Sequence, residues 1–84
     1  MLTKKQIFKK IKEIFSEYEH NNSPVIVKNE DDSLYGDLGL DSLAVVELVM
    51  MCEKEFGFAV IDDEEIDRLE TINDLINLIE KYLQ

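Results

Sequence analysis

The sequence predicts an all-α fold: a small four-helix bundle of three longer helices and one short third helix, with a long loop between helices one and two. Three observations support this prediction. Apolar residues recur at helical spacing in three segments, capping signals precede those segments, and 84 residues suffice for one core without a metal or a disulfide. No repeat or linker divides the chain, so we expect residues 1–84 to form one domain.

The first helix is predicted over residues 4–18. Thr3 followed by Gln6 forms a capping-box pattern at its start. The apolar residues at helical spacing that follow are Ile7, Phe8, Ile11, Ile14, Phe15 and Tyr18. Lysines occupy the other side of this helix, so the stripe indicates a face that packs against the core rather than a cofactor site.

Residues 19–40 are predicted to form the long loop. Ser23-Pro24, an acidic run at 30–32 and two of the three glycines disfavour a helix there. We expect Val25, Ile26 and Val27 to pin the loop. Further along it, Leu34, Tyr35 and Leu38 are expected to dock as well. A short strand at 25–27 is the alternative, although no partner strand is evident. His20 is expected at the surface, where the first helix ends.

The second helix is predicted from Ser42 to Phe56, with Asp41 as its N-cap and Gly57 as its stop signal. At 3.6 residues per turn, its core face holds Val45, Leu48, Val49, Cys52 and Phe56. The opposite side carries a second group, here named the apolar strip, which consists of Leu43, Val46 and Met50.

Carboxylates flank the apolar strip, with Glu47 on one side and Glu53 on the other. A helix in so small a domain cannot easily bury both faces, so we expect the strip to be exposed. An exposed apolar strip edged with acidic residues indicates a docking surface. The alternative is that helices one and four bury the whole circumference of helix two.

The acidic run at 62–65 predicts a short third helix near 63–68, because carboxylates in a first turn complement the helix dipole. We interpret this run as a solvated helix start rather than a metal site. Thr71 caps the fourth helix, with Asp74 at the capping-box position. The buried stripe predicted for this helix is Ile72, Leu75, Ile76, Ile79, Tyr82 and Leu83.

The net charge of −10 is unevenly placed. Residues 1–20 carry five lysines against three glutamates, a balance of +2, while the remainder carries four basic and sixteen acidic residues, a balance of −12. Such a field disfavours nucleic acid and anionic membranes as partners and attracts basic protein surfaces. The alternative is that the acidity only keeps the protein in solution.

The single cysteine excludes a disulfide within one chain, which suits a reducing cytoplasm. The N-terminal residues lack the apolar core of a signal peptide, and no stretch approaches the length of a membrane span. We therefore expect a cytoplasmic monomer that does not insert into membranes.

A catalytic or metal-binding role is disfavoured. Ser42 would need a base, and the only histidine lies 22 residues upstream. Cys52 falls on the predicted core face, where a thiol is usually inert. A calcium loop starting at Asp31 would place Gly36 correctly at its sixth position, but Ser42 would stand where a bidentate glutamate belongs. We predict no catalytic residue and no metal ligand.

The residues around Ser42 resemble those of the acyl carrier proteins. The attachment motif of that family reads Asp-Ser-Leu after a Leu-Gly turn, and residues 38–43 here read Leu-Gly-Leu-Asp-Ser-Leu. The match continues through 46–50, 53–57 and 71–75 and covers most of the chain. Asp-Ser-Leu alone is common by chance, whereas this flanking pattern and chain length make the signal strong.

The resemblance implies a freestanding carrier without catalytic activity. Its Ser42 would receive 4′-phosphopantetheine from coenzyme A through a phosphopantetheinyl transferase with Mg²⁺. The arm would carry acyl groups as thioesters to fatty acid, polyketide or related lipid biosynthetic enzymes. The resemblance also implies that basic patches on these enzymes recognise helix two. The matching acidic positions are Asp41, Glu47 and Glu53, and the matching apolar positions are Leu43, Val46 and Met50.

Some residues depart from the family pattern. Ala44 and Val45 stand where polar residues are often found, Lys54 replaces a common acidic residue, and Ile61 replaces a proline. A more apolar start of helix two favours specialised partners. Two alternatives stay open: a carrier of amino acids or peptides, against which the Asp before Ser42 argues, and an unmodified acidic adaptor that binds a basic partner.

Overall fold

The computed structural model describes residues 2–59 and 62–84. Its helices are α1 (Lys4–Ser16), α2 (Ser42–Phe56), α3 (Asp63–Asp67) and α4 (Ile72–Leu83). Two short strands, β1 (Glu19–His20) and β2 (Ser23–Pro24), pair antiparallel and are here named the ribbon. The predicted all-α fold with four helices is confirmed, and α2 has the predicted limits. Within the described ranges, no helix has both the length and the apolar character that crossing a bilayer requires.

Side-chain caps fix where the long helices begin. Thr3 and Gln6 form the predicted capping box at α1, and Thr71 and Asp74 form the one at α4. The far end of α2 is fixed by Gly57, whose φ of +77° lies in the left-handed region that favours glycine. These signals are local, which explains why the helix starts and the end of α2 could be predicted from the sequence.

The core lies where α1 packs against α2 and α4. Its members come from all four helices, from the loop between α1 and α2, and from Leu69 between α3 and α4. The predicted core face of α2 is buried, except that Phe56 is only partly buried. Similarly, Phe8 and Tyr18 near α1 and Tyr82 and Leu83 in α4 pack at the margin of the core.

The segment after α1 differs from the prediction. The helix ends at Ser16 rather than at residue 18, and the ribbon follows at 19–24, earlier than the alternative strand at 25–27. Asn21 and Asn22 form its turn with φ of 54° and 66°. Asparagine tolerates this left-handed conformation, and two such residues suit a tight hairpin. The pair was a turn signal that the apolar pattern did not reveal.

Several loop residues also differ from expectation. His20 is half-buried in β1 rather than at the end of the first helix. Val25, Val27 and Leu34 pin the loop as predicted, but Ile26 is 56% exposed and Tyr35 is 44% exposed. Alternate residues of an extended segment point in opposite directions, so Ile26 cannot face the core together with its neighbours. The departure at Ile61 lies outside the described residues.

Backbone hydrogen bonds fasten the loop to the start of α4. Leu34 N–H donates to the Glu70 carbonyl at 2.8 Å, and Ile72 N–H donates to the Asp32 carbonyl at 3.0 Å. Within the loop, the Asp32 carboxylate accepts from the backbone N–H groups of Lys28 and Asn29 at 2.8 and 3.1 Å, which lowers the pKa of Asp32. The chain leading to α2 is therefore held in place on both sides of residue 32.

Candidate functional site

Ser42 is the first residue of α2, and its side chain is exposed. The buried Leu40 and the cap at Asp41, whose carboxylate accepts from Ala44 N–H at 2.8 Å, fix the backbone just before it. Gly39 makes the preceding turn with φ of +67°, a conformation that disfavours other residues even though space for a Cβ exists. The hydroxyl is thus presented to solvent from a well-defined backbone.

The Ser42 hydroxyl makes no side-chain hydrogen bond with any residue of 2–59 or 62–84. Its position at the start of α2 places it beside the positive end of the helix dipole, where an anion is favoured. The neighbouring Asp41 carboxylate opposes that preference, although its bond to Ala44 N–H directs it towards the helix. The Ser42 hydroxyl can therefore carry an acidic group that is attached as an ester and lies in contact with solvent.

The apolar strip is exposed beside Ser42. Leu43 is 67% exposed, Met50 58% and Val46 37%. Asp41 and Glu47 are exposed along the strip, whereas Glu53 is partly buried. The predicted exposure is confirmed, and the alternative in which α1 and α4 bury all of α2 is wrong. The reason is geometric: α1 and α3, the helices that pack on α2, leave the strip uncovered.

Two residues that depart from the family pattern do not lie on this surface. Ala44 and Val45 are each 2% exposed, because they point into the core from the first turn of α2. The inference that they make the start of helix two more apolar towards partners is therefore wrong. The exposed surface beside Ser42 is formed instead by the residues of the strip.

A hydrogen bond that the sequence did not reveal joins the α1 end of the molecule to this surface. The Tyr18 hydroxyl donates to Glu47 Oε2 at 2.8 Å. This bond, more than burial, raises the pKa of Tyr18, and the charges of Glu47 and Asp41 raise it further. The two residues lie 29 positions apart, and Tyr18 had been assigned to the core stripe of α1. No signal in the spacing could have indicated the contact.

The other candidate chemistry finds no support in the geometry. Cys52 is fully buried on the core face of α2, and burial raises the pKa of its thiol to about 12. His20 belongs to the ribbon. Among residues 2–59 and 62–84, no three or more His, Cys, Asp or Glu side chains are grouped so that they could hold a metal ion.

This helical protein fixes one serine hydroxyl at a helix start and exposes an acid-edged apolar strip beside it. The arrangement suits a protein on which other enzymes act. The comparisons with known proteins agree with this class. Residues 9–79 match the family described as the phosphopantetheine attachment site. An acyl carrier protein of Thermotoga maritima is 40% identical over 83 residues, with 99% of both chains covered. One of Wolinella succinogenes is 45% identical over 74 residues, covering 88% of this chain and 93% of its own.

A solved structure gives the same result. The crystal structure of the acyl carrier protein from Thermotoga maritima matches with a TM-score of 0.78 and 35% identity, covering 95% of this chain and 89% of that one. The chain therefore belongs to the acyl carrier protein family. Members of this family are carriers rather than catalysts, and they hold acyl groups on phosphopantetheine.

Proposed function

We propose that Ser42 is the attachment residue for 4′-phosphopantetheine in this chain. The observation that carries the proposal is the exposed hydroxyl at the first residue of α2, on a backbone fixed by the Asp41 cap. The start of α2 suits the phosphate because backbone N–H groups of a first turn and the helix dipole favour an anion. Once attached, the arm supplies a terminal thiol that carries acyl groups as thioesters.

The residues around Ser42 have separate tasks in this proposal. Asp41 sets where α2 begins, so the serine keeps its place at the first turn. Gly39 and the buried Leu40 direct the chain into that turn. Because a separate transferase would activate the hydroxyl, no base is needed on this chain.

The test of attachment is the intact mass of the protein after incubation with coenzyme A, Mg²⁺ and a broad-specificity phosphopantetheinyl transferase. We expect a gain of one phosphopantetheine, and no gain for Ser42→Ala. Ser23→Ala is the matched control, because Ser23 is also an exposed serine at an element start, and it should gain the full mass. An unmodified wild-type protein would favour the acidic adaptor instead. A gain that survives Ser42→Ala would place the arm elsewhere.

The apolar strip and the carboxylates Asp41, Glu47 and Glu53 are proposed as the docking surface for the transferase and for acyl-processing enzymes with basic patches. Exposed charges at the rim of an interface mainly govern the association rate, while apolar contacts limit dissociation. This division suits a carrier that must visit many enzymes and leave each one. Nucleic acid is not expected as a partner of so acidic a chain.

Charge reversal tests the docking surface. Glu47→Lys should lower kcat/KM of the transferase reaction about tenfold at low ionic strength, the lower end of the range over which charge steering changes association rates. Glu13→Lys, an equal charge change at an exposed residue of α1, should have a much smaller effect. Equal losses for both variants would show that only the net charge matters and would remove α2 from the docking proposal.

The remaining proposals concern the state of the protein. A monomer that acts in the cytoplasm, built as one acyl-carrier domain over residues 1–84, fits the buried Cys52 and the one core cluster that the described residues form. Sedimentation velocity at several protein concentrations would test the monomer. A concentration-dependent sedimentation coefficient would contradict it. The acyl partners are proposed to be fatty acid, polyketide or related lipid biosynthetic enzymes.

A further inference from the structure

The contact between Tyr18 and Glu47 has a counterpart elsewhere in the chain. Glu65, at the α3–α4 contact, accepts hydrogen bonds from the hydroxyl of Tyr82 through Oε1 and from Lys81 Nζ through Oε2. Its side chain is only 19% exposed, and both oxygens are used within the protein. Such a pair holds two elements together and leaves little for a partner.

Glu47 is arranged differently. The residue is exposed, and only its Oε2 accepts a hydrogen bond from the described residues, the one from Tyr18. Within 2–59 and 62–84, Oε1 has no donor. A carboxylate held through one oxygen keeps its charge and offers the other oxygen, in a defined direction, to a lysine or arginine from outside.

The position of the Tyr18 hydroxyl is itself well determined. Tyr18 N–H donates to the Phe15 carbonyl at 3.1 Å, and the Tyr18 carbonyl accepts from Val25 N–H at 3.3 Å. Its ring packs against the core while the hydroxyl reaches the surface. The charge of Asp41, a second carboxylate at the edge of the apolar strip, also raises the pKa of Tyr18.

From these contacts we propose that Tyr18 is a positioning residue of the docking surface, which fixes the Glu47 carboxylate in the orientation that a basic patch of a partner enzyme binds. This inference rests on the docking function proposed for α2. An unrestrained glutamate loses rotamer freedom when it docks, and a side chain ordered in advance avoids that cost. The residue that prepares the surface thus comes from beyond the end of α1 and not from α2.

The test is a double-mutant cycle on the transferase reaction. The rate is measured by intact mass at several concentrations of the protein. Tyr18→Phe removes one oxygen and keeps the ring in the core. We expect the KM of the transferase for this variant to rise about two- to tenfold. A change of this size corresponds to the cost of immobilising one flexible side chain on binding. The kcat at saturation should not change, because Ser42 and its cap are untouched. In a Glu47→Ala background, Tyr18→Phe should have no further effect.

Tyr35→Phe is the matched control, since Tyr35 is an exposed tyrosine of the loop. Loss of its hydroxyl should leave KM unchanged.

A ¹³C-tyrosine NMR titration tests the contact separately. The pKa of Tyr18 should fall towards its ordinary value in Glu47→Ala and stay raised in Glu53→Ala, because Glu47 supplies the hydrogen bond. Helical circular dichroism of each variant verifies that it is folded.

The outcomes separate this inference from the function on which it rests. If Glu47→Ala raises KM and Tyr18→Phe does not, the inference is overturned and the docking surface stands. An equal KM increase for Tyr18→Phe with and without Glu47 also overturns it, because the tyrosine then acts independently of the carboxylate. If Glu47→Ala leaves KM unchanged, both the docking role of Glu47 and the inference fall. Attachment at Ser42 is tested by none of these results.

Discussion

The two faces of α2 are similar in composition and opposite in environment. One face places Val45, Leu48, Val49 and Cys52 in the core, and the other leaves Leu43, Val46 and Met50 in contact with solvent. Burial of the first face stabilises the fold, because apolar surface is removed from water. The second face keeps much of its apolar area in contact with water, since its three residues are 37–67% exposed. Under the docking proposal, the helix thus separates stability from recognition by residue position alone.

The strongest test of this separation compares two leucines of the same helix. Leu48→Ala should lower the free energy of unfolding by about 2–5 kcal/mol, because Leu48 is 1% exposed and its loss leaves a cavity. Leu43→Ala should change it by no more than about 0.5 kcal/mol, because the side chain is already in solvent. Urea unfolding measures both. A similar loss for the two variants would contradict the division between the faces.

The buried face should also show a dependence on alkaline pH through Cys52. The folded thiol keeps its proton up to about pH 12, whereas the unfolded thiol titrates near its ordinary value of 9.0. Between these values the unfolded chain binds fewer protons, so stability falls as the pH rises. The loss attributable to Cys52 should approach about 1.4 kcal/mol per pH unit.

Urea unfolding at about pH 8 and about pH 10 measures this slope. Cys52→Ala is the control, since every other group is common to both proteins and its contribution cancels in the difference. The variant should lose less stability than the wild type over this interval. Parallel slopes would show that the thiol is not protected by burial.

Asp41 lies at the boundary between the two roles. Asp41→Ala removes the bond to Ala44 N–H and should destabilise the protein by about 1 kcal/mol, whereas Asp41→Asn keeps a capping oxygen and should be close to neutral. Both variants lose the charge, so both should slow the transferase reaction at low salt. Thermal unfolding and transferase kinetics measure the two effects. If Asp41→Asn were as unstable as Asp41→Ala, charge rather than capping would account for the stability.

The smallest effect concerns the charges around the exposed face. Added salt or millimolar Mg²⁺ should raise the melting temperature by about 2–4 °C, because about 0.5 kcal/mol of relieved carboxylate repulsion corresponds to that shift in a domain of this size. Thermal unfolding followed by circular dichroism would measure it. The rise in melting temperature should be the same in Leu48→Ala, since this substitution lies in the core and leaves the surface charges unchanged. A flat or falling response would show that the repulsion is unimportant.

Most of the fold could be predicted because its signals are local. Caps such as Thr3 and Thr71, the stop at Gly57 and the helical spacing of apolar residues each act within one element. The exposure of the apolar strip followed from the same spacing. The ribbon did not, because its two-residue strands carry no apolar alternation and depend on the conformations of Asn21 and Asn22.

The candidate site was predictable to a similar extent. Ser42 and its cap are adjacent in the sequence, so the motif revealed them. The hydrogen bond from Tyr18 to Glu47 joins distant parts of the chain, and the burial of Ala44 and Val45 depends on how α2 is rotated against the core. These are properties of the packed molecule, and only the coordinates of distant elements determine them.

The fastening of the loop to the start of α4 has a consequence for a chain still emerging from the ribosome. The backbone N–H groups of Leu34 and Ile72 donate to carbonyls of residues about 36–40 positions away in sequence. Until the segment around residue 70 has left the exit tunnel, the stretch before Ser42, the proposed attachment residue, lacks its hydrogen bonds to the start of α4. We therefore expect a nascent chain to become a good substrate for modification only once that segment is free to fold.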